Sequence, residues 1–221
     1  MDNLNATPLV FHGHEGTIHS VAFSSDGKWL ASGSNDTTVR VWRVDSPNAN
    51  PVILRGHENV VRAVAFSSDG KWLASSGDDS TVRLWRVDNT YADPIILHGH
   101  EAIVTSIAFS HDSKWLVTGS LDGTLRLRSL DDLSANPIIL RGHEGIVSPV
   151  AFSATLFSTV AFSPDSKWLL SGSTDSNIRL WLMDSLNAEP LILPNHTGTI
   201  TSVAFSHDGK WLASGNTDST V

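Results

Sequence analysis

The chain has 221 residues, 40% of them apolar, with eight tryptophans, no cysteine and a formal charge of -8. That length supports a sizeable core, the lack of cysteine excludes a disulfide framework and a thiolate-bound zinc, and the acidic balance opposes a nucleic-acid backbone. No window approaches the roughly 18 consecutive apolar residues of a membrane span, and Met1–Val10 has neither the basic start nor the apolar run of a signal peptide, so a cytoplasmic location without a membrane partner is expected.

Along the chain, Gly13-His14 returns as Gly56-His57, Gly99-His100 and Gly142-His143 at intervals of 43, then as Asn195-His196 after 53. The repeats run 8–50, 51–93, 94–136, 137–189 with a ten-residue insertion, and 190–221, incomplete. Together they are expected to form one domain over 1–221, or a fragment of one. Within the first repeat, Ile18 to Phe23 alternates large apolar residues with smaller or polar ones, as a strand does. Asp26-Gly27 then offers a tight turn, Trp29 opens a second strand, and the β-branched run Thr38-Val39-Arg40-Val41-Trp42 makes a third. Ala49-Asn50-Pro51 and its equivalents mark loops before a short fourth strand, since proline is admitted at edges. No segment reads as a useful helix.

A period in the low forties, with Gly-His near its start and Arg-x-Trp near its end, resembles the WD-repeat family, whose blades are four-stranded sheets around a channel. The resemblance implies an all-β WD40 β-propeller with five recognisable four-stranded blades, the last truncated, and its regular repeats are similar to those of bacterial multidomain regulators. It also explains why His, Ser or Thr, and Asp recur together. A hydrolase needs its triad once, in a pocket; a set repeated with the architecture is structural, so no catalytic residue is assigned.

By the resemblance, these residues form buried hydrogen-bonded sets: His14, Ser32, Asp36 and Trp42; His57, Ser75, Asp79 and Trp85; His143, Ser171, Asp175 and Trp181. Blade three has His100, Thr118 and Asp122, but Arg128 stands where tryptophan belongs, and is expected to pair with a nearby carboxylate. Blade five has His196, Ser214 and Asp218. One histidine per blade is too dispersed to share an ion, and the pairs His12-x-His14 and His98-x-His100 have no further ligands nearby, so neither metal nor cofactor is expected.

The resemblance also implies a top face where protein or peptide partners bind. Its variable positions are the third and fifth residues after the blade histidine and the residue before the blade aspartate. They read Thr17, His19 and Asn35; Val60, Arg62 and Asp78; Ile103, Thr105 and Leu121; Ile146, Ser148 and Thr174; Thr199, Thr201 and Thr217. The leading expectation is therefore a non-catalytic scaffold for protein interactions, serving as the sensor part of a larger regulatory protein. A small-ligand or sugar-binding propeller is the alternative, although the tryptophans Trp29, Trp72, Trp115, Trp168 and Trp211 begin second strands rather than the binding loops. A hydrolase using the Ser/His/Asp set is a third.

The ends and the insertion add expectations of their own. Met1–Pro8 matches Met183–Pro190 at six of eight positions, so the chain starts mid-pattern, and Pro8-Leu9-Val10-Phe11 reads as a fourth strand that pairs with the last blade. Five blades fall short of the seven usual in the family. The expectation is an open arc, a fragment of a longer array or one completed by self-association; the alternative is a closed five-bladed ring. In blade four, Val150-Ala151-Phe152-Ser153 is echoed by Val160-Ala161-Phe162-Ser163. The second copy is expected in the first-strand position, because Pro149 removes a ladder donor before the first. The extra residues then read as the scar of a lost repeat, not as a functional loop.

Overall fold

The structure, a computed structural model, describes residues 8–90, 92–143, 160–194 and 196–220. The alternating segments form antiparallel sheets in chain order. Blade one contains β1 (Ile18–Phe23), β2 (Trp29–Ser34), β3 (Val39–Arg43) and β4 (Val52–Leu54). The same meander gives β5 (Val61–Phe66), β6 (Trp72–Gly77), β7 (Val82–Arg86) and β8 (Ile95–Leu97) in blade two. Blade three has β9 (Val104–Phe109), β10 (Trp115–Ser120), β11 (Leu125–Ser129) and β12 (Ile138–Leu140). Blade four has β13 (Val160–Phe162), β14 (Trp168–Gly172), β15 (Ile178–Leu182) and β16 (Leu191–Leu193), and blade five shows β17 (Ile200–Phe205) and β18 (Leu212–Asn216) alone. Among the described residues the one helical element is a 3-10 turn, Met183–Ser185.

The turn joining the first two strands is built by its own side chains. Ser24 Oγ donates to Asp26 Oδ1 (2.6 Å), which also accepts Lys28 N–H (3.0 Å), while Ser24 Oγ accepts Trp29 N–H (3.0 Å). This returns at Ser67/Asp69, Ser110/Asp112, Ser163/Asp165 and Ser206/Asp208. Such local bonding explains why these residues favour turns over ladders.

A single sheet cannot bury its apolar face, so each blade lies against the next and the core is made between them. The first strands of successive blades touch, β1 with β5, β5 with β9, β9 with β13 and β13 with β17. Val61, Val104 and Ile200 are fully buried there, and each such burial contributes roughly 1.5–3 kcal/mol. Gly33 permits this approach, because a Cβ there would sit 2.6 Å from Val61 Cγ1. At the ends of the series the cover stops: Val21 and Phe23 of blade one are each 62% exposed and Trp211 of blade five 76%. The blades form an open arc.

The register in blade four places Val160 opposite Ser171, as Val64 lies opposite Ser75 in blade two. The second copy of the duplicated motif therefore occupies the first-strand position, while Val150 to Ser153 and Pro149 lie outside the described residues. The expected strand at Pro8–Phe11 is absent. Leu9 and Val10 are exposed, and Phe11 instead stacks at a tilt on Trp42, ring centroids 5.8 Å apart. Packing on a buried indole outweighs pairing with blade five, whose described sheet holds only β17 and β18.

The residue after each blade aspartate adopts a left-handed conformation: Thr37 (φ 67°), Ser80 (61°), Gly123 (78°), Ser176 (64°) and Ser219 (69°). Only blade three uses glycine there, and a β-branched residue is the most strained choice. Thr37→Gly is expected to stabilise the protein by about 0.5 kcal/mol, the relief of roughly 1 kcal/mol being partly offset by a freer unfolded chain. Calorimetry should show a thermal midpoint higher by about 1–2 °C; a lower midpoint refutes the strain.

Candidate functional site

In blades one, two, three and five the backbone brings two of the expected rim positions together. Asn35 N–H donates to Thr17 O (2.9 Å), Asp78 to Val60 (2.9 Å), Leu121 to Ile103 (3.0 Å) and Thr217 to Thr199 (3.0 Å). The third member sits at a β-bulge, where two residues oppose one: His19 between Ile18 and Ser20, Arg62 between Val61 and Ala63, Thr105 between Val104 and Ser106, Thr201 between Ile200 and Ser202. A bulge re-aims its side chain, and no sequence signal marks it, because the alternation continues on either side.

The side chains at these places differ. His19 Nε2 bonds to Asn35 Oδ1. Arg62 forms a two-pronged ion pair with Asp78, Nε to Oδ1 and Nη2 to Oδ2, each 2.5 Å. Ile103, Leu121 and Thr174 are half-buried, and Thr199 N–H donates to Thr217 Oγ1 (3.0 Å). Two positions depart from a free rim. Thr105 is only 6% exposed, facing Gly119 O, and Thr201 Oγ1 donates to Gly215 O (3.1 Å). A threonine hydroxyl this short turns to the adjacent backbone carbonyl, so Thr105 supports the rim without presenting itself to a partner. Ile146 and Ser148 lie outside the described residues.

Beneath the rim lie the polar sets, held by the third strand and the turn after the second. Blade two is complete: Trp85 Nε1–H donates to Ser75 Oγ (2.9 Å), Ser75 Oγ bonds His57 Nε2 (2.8 Å), and His57 Nδ1 bonds Asp79 Oδ2 (2.7 Å). Asp79 Oδ2 also accepts Glu58 N–H, and Oδ1 accepts the Thr81 backbone N–H and hydroxyl. Burial alone would raise the Asp79 carboxyl; the His57 bond and charge and the Thr81 donors outweigh it and hold the carboxyl far below its usual range. In blade one, His14 bonds Asp36 (2.8 Å) and Ser32 (2.6 Å). Trp42 is buried but packs edge-on against His14 (5.7 Å), and among the described residues it makes no bond to Ser32, so this set is one member short of the expected chain.

Blade four is also complete, and blades three and five change one part of the set each. In blade three, His100 bonds Asp122 and Thr118 (2.8 Å each), while Arg128 Nη2 donates to His98 O (2.7 Å). That corrects the expected carboxylate partner: Asp122 already accepts from His100, Glu101 N–H and both donors of Thr124. In blade four, His143 bonds Ser171 (2.9 Å) and Asp175 (3.0 Å), and Trp181 Nε1–H donates to Ser171 Oγ (2.9 Å). In blade five, His196 bonds Ser214 (2.8 Å) but not Asp218, which is taken by Thr197 N–H and hydroxyl (3.0 Å each). Asn216, longer than the serine at the same place in blade one, reaches His196 Nδ1 instead.

A fifth residue recurs with these sets and had no assigned role from the sequence. Arg40, Arg83, Arg126 and Arg179 lie opposite the set's hydroxyl residue in every four-stranded blade. Thr-Val-Arg carried the signal, but a strand arginine reads by default as solvated. Arg83 and Arg179 are in fact 8% and 5% exposed. Among the described residues only Arg179 of the four has hydrogen-bond partners, Asp175 Oδ2 (2.7 Å), Gly142 O (2.7 Å) and His143 Nδ1. Blade four also differs at Asn177, which stands where Thr38, Thr81 and Thr124 give a hydroxyl to the carboxylate, and turns its amide to Asp175 O (3.0 Å). The tryptophans Trp29 and Trp72 lie beneath Arg43 and Arg86 (5.7 and 5.1 Å), outside the rim trios.

Comparison with known proteins places these repeats. The family model "WD domain, G-beta repeat" matches five times, over residues 6–43, 50–86, 94–129, 137–181 and 189–221. Among curated proteins, a segment of 45 residues is 40% identical to "Protein LST8 homolog" of Dictyostelium discoideum, covering 20% of this chain and 15% of that protein. Another of 38 residues is 47% identical to "Ribosome biogenesis protein BOP1 homolog" of Oryza sativa subsp. japonica, covering 17% and 6%. A third of 44 residues is 43% identical to "Target of rapamycin complex subunit LST8" of Saccharomyces cerevisiae (strain ATCC 204508 / S288c), covering 20% and 14%. Each match spans about one repeat and less than a sixth of the relative.

Two outcomes are expected. Burial, with Arg179 opposing Asp175, lowers the His143 imidazole to about 4, against an ordinary value near 6.5. An unfolded chain then takes up a proton that the folded blade refuses, so stability falls as pH drops from about 6.5 to about 4, by on the order of 3 kcal/mol. The depressed Asp175 adds a further loss only below its ordinary range. Protection factors of amides in β13–β16, corrected for the intrinsic base-catalysed exchange rate, should be lower at pH 5 than at pH 7, and those of β5–β8 much less changed; an equal loss of protection in both blades refutes the assignment. In phosphate-free buffer, Arg128→Trp should raise the thermal midpoint by a few degrees by restoring the donor to Thr118, and an unchanged midpoint counts against that set.

Proposed function

We propose the function from one premise, that the chain belongs to the WD-repeat family: it is a non-catalytic scaffold that binds protein or peptide segments at its rim. The observation that carries this reading is the rim trio of blades one, two, three and five, three side chains gathered by one backbone bond and one bulge, varied from blade to blade above a repeated polar set. A repeated catalytic apparatus has no use for that variation; recognition does. The names of two relatives describe a complex subunit and a ribosome biogenesis factor, and membership of an assembly is carried over from them only as part of this proposal. Residues 1–221 are read as a single propeller domain or a fragment of one, in the cytoplasm, acting as the sensor part of a larger regulatory protein. Self-association across the open arc belongs to the same reading, supported by the exposed Val21, Phe23 and Trp211.

The centre of the binding face is placed at blades two and three. Arg62 with Asp78 supplies a directional polar contact, and Ile103 with Leu121 an apolar seat. Arginine is enriched among the few residues that dominate interface energies, and the apolar pair beside it excludes water from that contact. Arg62→Glu and Leu121→Asp should each reduce capture of a specific partner from lysate at least tenfold, with an unchanged circular dichroism spectrum. Full capture by both variants sinks the proposal.

A further inference from the structure

We propose that blade three carries a binding site for a phosphate-type oxyanion, built from Arg126 and Arg128. The two lie two residues apart on β11, so they point to one face of the sheet. In blades one, two and four the second position holds a buried indole; here it holds a second guanidinium, next to the first. Arg126 Nε is buried without any hydrogen-bond partner, and Arg126 makes no ion pair among the described residues. Arg128 donates one nitrogen to His98 O (2.7 Å) and has no carboxylate. Burial first, then the charge of Arg126, pushes its guanidinium down from the ordinary value.

Two adjacent cations with one neutral acceptor between them are costly in a partly desolvated place, and an anion is the group that would relieve both. No residue of the blade supplies it. The nearby carboxylate, Asp122, is fully engaged by His100, Glu101 N–H and Thr124. Blade four shows which chemistry fits this arginine position: Arg179 turns its fork to a carboxylate oxygen and a carbonyl. Planar guanidinium forks take phosphate oxygens in the same way, and two of them match a doubly charged oxyanion. Arg126 and Arg128 each retain some exposure, so a ligand enters without unfolding the blade.

Calorimetric titration of the protein with inorganic phosphate, at constant ionic strength in chloride, should give a saturable signal near one ion per chain in the low millimolar range. Thermal scans should show a rise of about 3–5 °C at roughly ten times the dissociation constant, growing with the logarithm of the phosphate concentration while the calorimetric heat saturates. Phosphate also stabilises proteins by surface exclusion, which neither saturates nor depends on one residue. The saturable part should be lost in Arg126→Met and Arg128→Trp and kept in Arg83→Met, which removes the equivalent arginine of blade two. Acetate as a second titrant separates a carboxylate site from a phosphate one: saturation by acetate at equal or lower concentration overturns the proposal, as does a phosphate heat that never saturates or is equal in all four proteins.

Discussion

The structure turns on a carboxylate that must stay ionised just below the top of each blade. An aspartate there accepts about four hydrogen bonds, and in blade two Asp79 receives them from His57, Glu58 N–H and both donors of Thr81. Once Nδ1 of the histidine is the donor, Nε2 must accept, so the serine hydroxyl donates to it and takes the tryptophan N–H on its free lone pair. The direction of every proton in the chain is set by the charge at its end. An unmade bond here costs roughly 1–3 kcal/mol, which ties the first turn, the second strand and the third strand into one unit.

The blades that depart from this pattern show how tightly donors and acceptors are balanced. In blade four Asn177 gives no hydroxyl to Asp175, and Arg179 donates to the Oδ2 of that carboxylate. Replacing serine by Asn216, with Thr197 where the other blades have glutamate, moves Asp218 from the histidine to the threonine. Replacing tryptophan by Arg128 leaves the histidine and aspartate as they were, because the loss falls at the far end from the charge. A change near the carboxylate therefore redirects the set, whereas a change at the tryptophan adds a new group beside it.

Much of this was legible. The period of 43, the strand alternation and the Ser-Asp-Gly-Lys-Trp turn each have a local cause, and the histidine, hydroxyl and aspartate positions follow from the repeat. The register of Val160 followed from its duplicated motif. What stayed hidden depends on contacts between separated segments. Phe11 was expected to pair with blade five and packs on Trp42 instead. The burial of Arg83 and Arg179 arises from a glycine preceding each histidine, over which the guanidinium lies, and strand propensity carries no trace of that. The bulges at His19, Arg62, Thr105 and Thr201 are likewise a matter of pairing, not composition.

The bulges explain how one fold keeps its polar set and still varies its rim. A residue in regular alternation sits between neighbours on both strands, and changing it disturbs the packing between blades. A bulged residue has no partner across the ladder, so histidine, arginine and threonine occupy the same position without altering the histidine below. Its two companions are joined by a backbone bond, N–H to carbonyl, which is indifferent to the side chains it holds; in blade five a side chain adds to it, Thr217 Oγ1 accepting Thr199 N–H. The fold thus separates what must be constant from what is free to differ: the constant part is fixed by a buried charge, and the variable part hangs on a backbone that the charge keeps in place.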